Sequence, residues 1–434
     1  MVSSWGNVAR GEHLLFPVRS RSASFPDIPS ATTFLPFGNG RSYGDSCLNI
    51  GGALLQTRQL DRFIHFDAAT GVLACEGGVL LDDILQRVVR EGWFLPVVPG
   101  TRYVTVGGAI ANDVHGKNHH CAGTFGAHVT ELELLRSNGE RLVCSRTQKP
   151  AWFAATVGGL GLTGLIVSAQ IQLRRVCGPW LEVETIRYGD CETFFALSEQ
   201  SEADYEYTVA WIDCLARGRH LGRGLFQRAN HATRQAGPGS AGGSSWAIPF
   251  TPPVSCINPV SLRLFNSLHY RGSRTRARSW RHFQSFFFPL DAIRQWNRLY
   301  GPKGFFQYQA VIPSARAQDT TLEMLKHISA SGLGSCLTVL KRCGERVSPG
   351  MLSFPRAGVT LALDFPNRSA RLPALFRRLD ALVEESGGRL YPAKDARMPA
   401  RLFQSGYPRW QEFAAFVDPR CSSDFWRRVA ETPC

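Results

Sequence analysis

Phe37-Gly38-Asn39-Gly40-Arg41-Ser42-Tyr43-Gly44-Asp45 is the stretch on which the fold of this chain turns. Its three glycines let the backbone approach an anion closely and aim N–H groups inward as a nest. A Rossmann fingerprint needs G-x-G-x-x-G running straight into a helix. Here the spacing is G-x-G-x-x-x-G, and Ser46-Cys47-Leu48-Asn49-Ile50-Gly51-Gly52 continues as a turn. The Rossmann reading fails on that context, which leaves an anion-binding loop or an ordinary β-turn.

Two further glycine-rich segments follow. Residues 99–120, from Pro99-Gly100-Thr101 to Asn118-His119-His120, crowd four glycines, two threonines and three histidines into 22 positions. Small residues and hydroxyls suit close wrapping of a pyrophosphate and a ribityl chain, and His115, Lys117, His119 and His120 add donors and cations. A metal site is the rival reading of the histidines. Adjacent His119 and His120 cannot easily face one ion, and no Cys or carboxylate pattern accompanies them, so no metal is expected. Ala155-Thr156-Val157-Gly158-Gly159-Leu160-Gly161-Leu162-Thr163-Gly164-Leu165-Ile166 could cover a flavin ring or simply turn tightly. The three segments together say more than any one.

Around them the pattern predicts an α+β fold in two domains. Residues 36–75 read as strands and turns, 79–91 as a helix with an apolar stripe from Leu80 to Val89 stopped by Gly92, and 129–136 and 164–173 as strands. The uncharged run Ala151–Leu173 is long enough for a membrane span, but its glycines and alternating end read as a short helix, a turn and a half-buried strand. Further on, strand-like runs at 205–211, 304–311 and 358–364 alternate with helices expected at 287–300 and 372–385, and 229–256 reads as a mobile surface loop.

Composition narrows the function classes. The chain has 434 residues, a net charge of +14 and 12 cysteines without a CxxC pair, too sparse for a disulfide scaffold. The opening MVSSWGNVARGEHLLF has no apolar core of a signal peptide, so a cytoplasmic protein with reduced thiols is expected. Its positive charge suits nucleic acid, an anionic membrane face, a phosphorylated substrate or plain solubility. The basic residues read as spread along the chain and interleaved with acids, without a Lys/Arg block, so no nucleic-acid partner is expected.

The three segments resemble the FAD-binding domain of the vanillyl-alcohol-oxidase (PCMH-type) flavoproteins. Gly40-Arg41-Ser42-Tyr43-Gly44-Asp45, Val104-Thr105-Val106-Gly107-Gly108-Ala109-Ile110, His115-Gly116-Lys117-Asn118-His119-His120 and Ala155–Gly164 are similar to the decaprenylphosphoryl-β-D-ribose 2'-oxidases. The similarity continues through Phe306-Gln307-Tyr308-Gln309, Val339-Leu340-Lys341, Leu352–Pro355, Leu363-Asp364-Phe365-Pro366 and Tyr391–Arg397. It implies an FAD domain over 1–177, a substrate-binding α+β cap over 178–388, and a segment over 389–434 returning to the FAD domain.

Residue by residue, the resemblance places FAD against Phe37 to Asp45, Gly100, Thr105, Val106, Gly107, Gly108, Asn112, Asp113, Val114, His115, Ile166 and Tyr391. Arg41 stands where many relatives carry a flavin-linking His, and no Cys lies in the Val-Thr-Val-Gly-Gly region, so the FAD is expected to be non-covalent. Lys117, Gln307, Gln309, Lys341 and Lys394 fall to substrate, with Lys394 and His115 as base or alkoxide stabiliser. Gln307 and Gln309, two apart, share one strand face. Ala362 occupies a position where mycobacterial members have Cys, and the stretch between Trp5-Gly6 and the first loop is short.

The implied reaction is oxidation of a sugar secondary alcohol, the 2'-hydroxyl of a polyprenyl-phosphoryl pentose, as the first half of an epimerisation completed by an NAD(P)H-dependent short-chain reductase. A lipid-linked substrate would bring peripheral contact with the inner face of the membrane. The alternatives are an aldonolactone or alditol oxidase acting on free sugars, and a flavin-binding scaffold without turnover.

Overall fold

The computed structural model describes residues 1–233 and 246–430. Its first sheet joins β1 (Leu14–Pro17), β2 (Phe34–Phe37) and β3 (Ala53–Gln56) in parallel, in the order β1-β3-β2. The continuous apolar runs of β2 and β3 suit a sheet covered on both faces, and Phe34, Leu35, Leu54 and Leu55 are buried.

An antiparallel sheet follows, built from β4 (Phe63–Asp67), β5 (Val72–Glu76), β6 (Val129–Leu135), β7 (Arg141–Ser145) and β8 (Leu165–Gln172) in the order β7-β6-β8-β5-β4. Helices α1 (Leu81–Val88) and α2 (Val106–Ala111) bury their apolar residues in its core. Helix α1 runs on as one 3-10 turn to Glu91 and stops at Gly92, whose φ of 78° lies in the left-handed region. The Ala151–Leu173 run resolves into α3 (Pro150–Thr156), a turn through Gly158, Gly161 and Gly164 at positive φ, and β8.

The largest sheet has eight antiparallel strands. These are β9 (Trp180–Tyr188), β10 (Tyr207–Ile212), β11 (Gly224–His231), β12 (Arg276–His282), β13 (Phe305–Pro313), β14 (Thr338–Cys343), β15 (Gly358–Pro366) and β16 (Arg389–Leu390). Their order is β12-β9-β11-β10-β14-β15-β13-β16. Alternation decides its two faces. Ala210, Phe226, Tyr308, Ala310, Leu340, Leu361, Leu363 and Phe365 share a buried cluster with α4 (Cys191–Ser201), α6 (Ala317–Ser331) and α7 (Leu372–Glu385). The intervening residues carry the polar groups described below. Between β11 and β12 lies helix α5 (Pro259–Gly272), begun by an Asn258 cap that accepts from Val260 and Ser261 N–H. Two residues beyond the expected boundary at 388, β16 still pairs with β13.

The C-terminal segment, with α8 (Ala400–Gly406) and α9 (Asp424–Ala430), comes back to the first sheet: Phe34 N–H donates to Arg420 and Asp424 N–H to Leu48.

Three expectations are corrected. The helix expected over 287–300 is instead a short helix at Phe283–Phe287, 3-10 turns at Pro289–Ala292 and Trp296–Tyr300, and a two-residue strand between them. Pro289 removes a donor, Gln295 sits at φ 59°, and Phe286–Phe288 and Trp296 sink into separate apolar clusters, so no single helical stripe exists. The loop expected over 229–256 is β-strand up to His231 and again at Trp246–Ala247; its 234–245 portion lies outside the described residues. Nor are the basic residues evenly interleaved. Residues 246–300 hold Arg263, Arg271, Arg274, Arg276, Arg278, Arg281, Arg294 and Arg298 against one acid, Asp291.

Candidate active site

A cavity of about 950 Å³ lies between the glycine-rich loops and one face of the eight-stranded sheet. That is near the upper end of the roughly 300–1,000 Å³ usual for small-molecule sites.

The loop wall is built from Phe37 to Tyr43. Asn39 Nδ2 donates to the Tyr103 carbonyl (2.8 Å), and Tyr43 N–H to the Ala393 carbonyl (2.9 Å), which pins both ends of the turn. Between those pins the N–H groups of Gly38, Asn39, Gly40, Arg41 and Ser42 meet no acceptor among the described residues. Five consecutive free donors on a cavity wall are a nest for an anion. Gly40 turns the chain at φ 59°. The Arg41 guanidinium stacks on Trp5 at 4.2 Å, and its Nε is buried without a partner. Thr105 caps α2 by accepting from Gly108 N–H, and a Cβ at Gly38 would collide with the Thr105 hydroxyl. The loop and the start of α2 thus touch because position 38 has no side chain.

The opposite wall is the polar face of the sheet. Register pairs Gln307 with Asp364, Gln309 with Ala362, Ala362 with Val339, and Lys341 with Thr360, and all seven line the cavity. Asp364 is fully buried, accepts from Gln307 Nε2 (2.8 Å) and Tyr300 Oη (3.4 Å), and burial pushes its carboxyl up to about 7. Lys394 faces it, with Nζ 3.6 Å from the centre of the Tyr43 ring. Burial brings the Lys394 amine down to about 7, and the nearby Asp364 carboxylate opposes that fall.

Deeper in, Lys341 Nζ donates to His115 Nδ1 and to the Gly116 carbonyl, both at 2.5 Å. Burial, and then the charges of Lys341, His119 and Lys394, hold His115 well below the ordinary histidine range, so its ring is neutral. With Nδ1 accepting, the ring proton sits on Nε2, 3.2 Å from Gln309 Nε2, so the Gln309 amide must turn over for its oxygen to accept that proton. Lys117 lies over the Phe286 ring (4.2 Å) and donates to the Phe286 carbonyl; burial, then Arg281 and Lys341, lower it to about 7. Three cations, Lys117, Lys341 and Arg281, therefore gather at this end of the cavity, and none of them has a carboxylate partner among the described residues.

Of the residues expected here, Gly100, Thr105, Gly107, Gly108, Asn112, Val114, His115, Lys117, Ile166, Gln307, Gln309, Lys341, Tyr391 and Lys394 also reach the cavity. Gly44, Asp45, Val106 and Asp113 do not. A Cβ on Gly44 would occupy the place of the Asp395 carbonyl. Asp45 pairs with Arg428 (2.8 Å), which also holds Asp395 (3.1 Å). Val106 is core. Asp113, at φ 39°, accepts from Gly126 N–H (2.8 Å), Ser353 (2.5 Å) and Ser348. These four build the wall from behind. Asp364, Arg281, Tyr103 and Trp296 line the cavity unforeseen. Asp364 could have been found, because it continues the every-second-residue row of Thr360 and Ala362.

The donor set fits FAD. A row of free N–H groups and an unpartnered Arg41 suit a diphosphate, and unpartnered Ser46 Oγ on the same wall adds a donor. Opposite, an amine, a carboxyl and two amides face the space where a hydroxylated substrate would meet the flavin.

The comparisons with known proteins agree. Residues 30–145 match a family described as FAD binding domain. Over 411 residues the chain is 38% identical to the decaprenylphosphoryl-beta-D-ribose oxidase of Mycolicibacterium smegmatis, covering 90% of this chain and 88% of that protein. It is 32% identical to a putative D-arabinono-1,4-lactone oxidase of Neurospora crassa over 26% of this chain and 20% of the other. A rice cytokinin dehydrogenase 8 (Oryza sativa subsp. japonica) is 30% identical over 37% and 32%.

Proposed function

This chain belongs to the decaprenylphosphoryl-β-D-ribose oxidase family of FAD-dependent oxidoreductases, and from that premise we propose that it oxidises the 2'-hydroxyl of a polyprenyl-phosphoryl pentose to the ketone. The observation that carries the proposal is the sheet face opposite the nest, where Lys394 and Asp364 stand beside Gln307 and Gln309 with unpaired Lys117, Lys341 and Arg281 nearby. Bound FAD supplies the two-electron acceptor for the carbinol hydride. Lys394, part-deprotonated near neutral pH, takes the hydroxyl proton, and the Asp364 carboxylate holds the resulting ammonium. Gln309 and neutral His115 orient the sugar by hydrogen bonds. Lys117 and Arg281 receive the phosphoryl group, which supplies the negative charge that end of the cavity lacks.

The FAD is held non-covalently, since Arg41 and not a histidine stands in the first loop. The ketone passes to a separate NAD(P)H-dependent reductase, and the two steps together invert the carbinol centre.

The test is the flavin spectrum of the purified protein. Acid should leave yellow FAD in the supernatant, and a polyprenyl-phosphoryl ribose should bleach the bound flavin anaerobically. Flavin retained in the pellet would end the non-covalent claim. Bleaching by free pentoses or aldonolactones but not by the phospholipid sugar would move the enzyme to the free-sugar oxidases. A flavin that no alcohol reduces would make it a scaffold.

A further inference from the structure

Helix α5 wears its apolar residues on the wrong side for a monomer. Leu262 and Asn266 point inward, Asn266 donating to Asp213 (2.9 Å). Val260, Leu264 and Leu268, four apart and so on one stripe, are 76%, 60% and 63% exposed. The segment leading into the helix continues the same surface, with Trp246, Phe250 and Val254 similarly exposed. It is fixed in place: Trp246–Ala247 pairs with Ile293–Arg294, and Arg298 donates to the carbonyls of Ile248 and Pro249 (both 2.8 Å).

This surface rims the cavity. Phe265 and His269 on α5, Arg281 on β12, and Ile293 and Arg294 all contribute to the cavity wall. It is also where the chain's arginines collect without acids. Arg263, Arg271, Arg274 and Arg294 are exposed and make no ion pair among the described residues, and the sole acid of 246–300, Asp291, is buried. An exposed apolar stripe flanked by unpaired arginines is the pattern of a helix lying in a lipid–water interface. A second copy of the chain would bring the same arginines against themselves, whereas an anionic bilayer neutralises them.

We propose that α5 and the Trp246–Ser255 segment dock on an anionic membrane surface, seating the cavity mouth on the bilayer so that a polyprenyl chain stays in lipid while its phosphosugar enters. The inference rests on the lipid-linked reading of the substrate, but vesicle binding is measured without substrate, so the two fail separately. No helix among the described residues is long and apolar enough to cross a membrane, so attachment through this face is peripheral.

The flavin-loaded protein should co-sediment with vesicles of equimolar phosphatidylglycerol and phosphatidylcholine. Binding to phosphatidylcholine alone should be at least about tenfold weaker, since each arginine near an anionic surface adds to the attraction. The double variant Leu264→Glu/Leu268→Glu touches neither the cavity wall nor the core, and should lose vesicle binding while keeping its flavin spectrum. Arg271→Ser/Arg274→Ser should lessen only the preference for phosphatidylglycerol. Absence of wild-type binding, or binding that survives the Leu264→Glu/Leu268→Glu change, would overturn the proposal. So would a dimer in light scattering, without vesicles, that the same change dissociates, because the face would then belong to a second copy. Vesicle binding without oxidation of the phospholipid sugar would sink the substrate assignment and leave the docking surface standing.

Discussion

Lys394 has been stripped of most of what makes a lysine basic. Its amine is buried against the Tyr43 ring, and the Asp364 carboxyl is the one group that pulls its proton affinity back up. Lys394→Met should therefore cut substrate-driven flavin reduction by about a hundredfold or more, the usual contribution of a positioned base, while FAD stays bound and yellow. Asp364→Asn tests the coupling with a sign: losing the carboxylate lets the Lys394 amine fall further, so the rise of reduction rate with pH should move to lower pH. Stopped-flow reduction across pH 5–9 reads it, and a profile that stays put or moves upward removes Asp364 from the argument. Lys394, Lys341 and Lys117 were legible as lysines in motifs or strand-like runs, where an exposed charge would be out of place. Asp364 takes no role from its motif alone; its place in the every-second-residue row of Thr360 and Ala362 is the signal, and strand register then sets it beside Gln307. Gly44, Asp45 and Asp113 were read as cofactor contacts for the opposite reason. A sequence shows that a loop needs small or acidic residues, and not whether they face the ligand or hold the loop from behind.

Among the elements, α9 shows how the loop is held. Arg428 reaches from this helix to Asp45 at the end of the nest and to Asp395 just after Lys394, so one guanidinium ties the glycine-rich loop to the turn that carries Lys394. Both carboxylates are nearly buried, and burial pushes Asp45 up against the pull of Arg428. Arg428→Ala would strand them; removing one partner of a largely buried pair costs about 3 kcal/mol. The expected outcome is a melting temperature lowered by several degrees together with weakened FAD affinity, seen by fluorescence of released flavin. A variant that melts early yet holds FAD as tightly as wild type would separate the clamp from the nest. Elements with one clean period were legible: α7 lies at Leu372–Glu385 as its stripe requires, and β8 emerges from the uncharged run at 151–173. The helix expected at 287–300 was not, because its aromatics supply apolar content without a shared face, and the phenylalanines and Trp296 enter different clusters. The arginines around α5 vanish in the charge of the whole chain, because the acids that balance them lie in other segments.

At the scale of the molecule, the cavity stores unfavourable charge, and stability should report it. Lys117 and Lys394 both bind their proton with an affinity near pH 7 when folded, against about 10.5 when exposed, and Lys341 is lowered too. Between pH 7 and 8 these lysines therefore carry more protons in the unfolded chain than in the folded one. Unfolding free energy rises with pH wherever the unfolded state binds more protons, so the substrate-free protein should become more stable from pH 7 to 8, by at most about 1.4 kcal/mol per pH unit for each such lysine. Asp364, at about 7 when folded, still sheds its proton at the lower end of this window and subtracts from the slope, while the histidines held low by burial have already lost theirs in the folded state. Above about pH 8 the buried thiols of Cys47, Cys75, Cys191 and Cys336, pushed up to about 12 when folded, begin to pull the other way, because in the unfolded chain a thiol ionises near 9. Urea melts at pH 7, 7.5 and 8 give the slope, and Lys117→Met/Lys394→Met should flatten it. An anionic occupant should flatten it as well, because a phosphoryl group beside Lys117 restores the proton that burial removed. If the wild-type slope is flat without ligand, the lysines are solvated or paired in solution, and the case for a cationic end waiting for a phosphosugar loses its electrostatic basis.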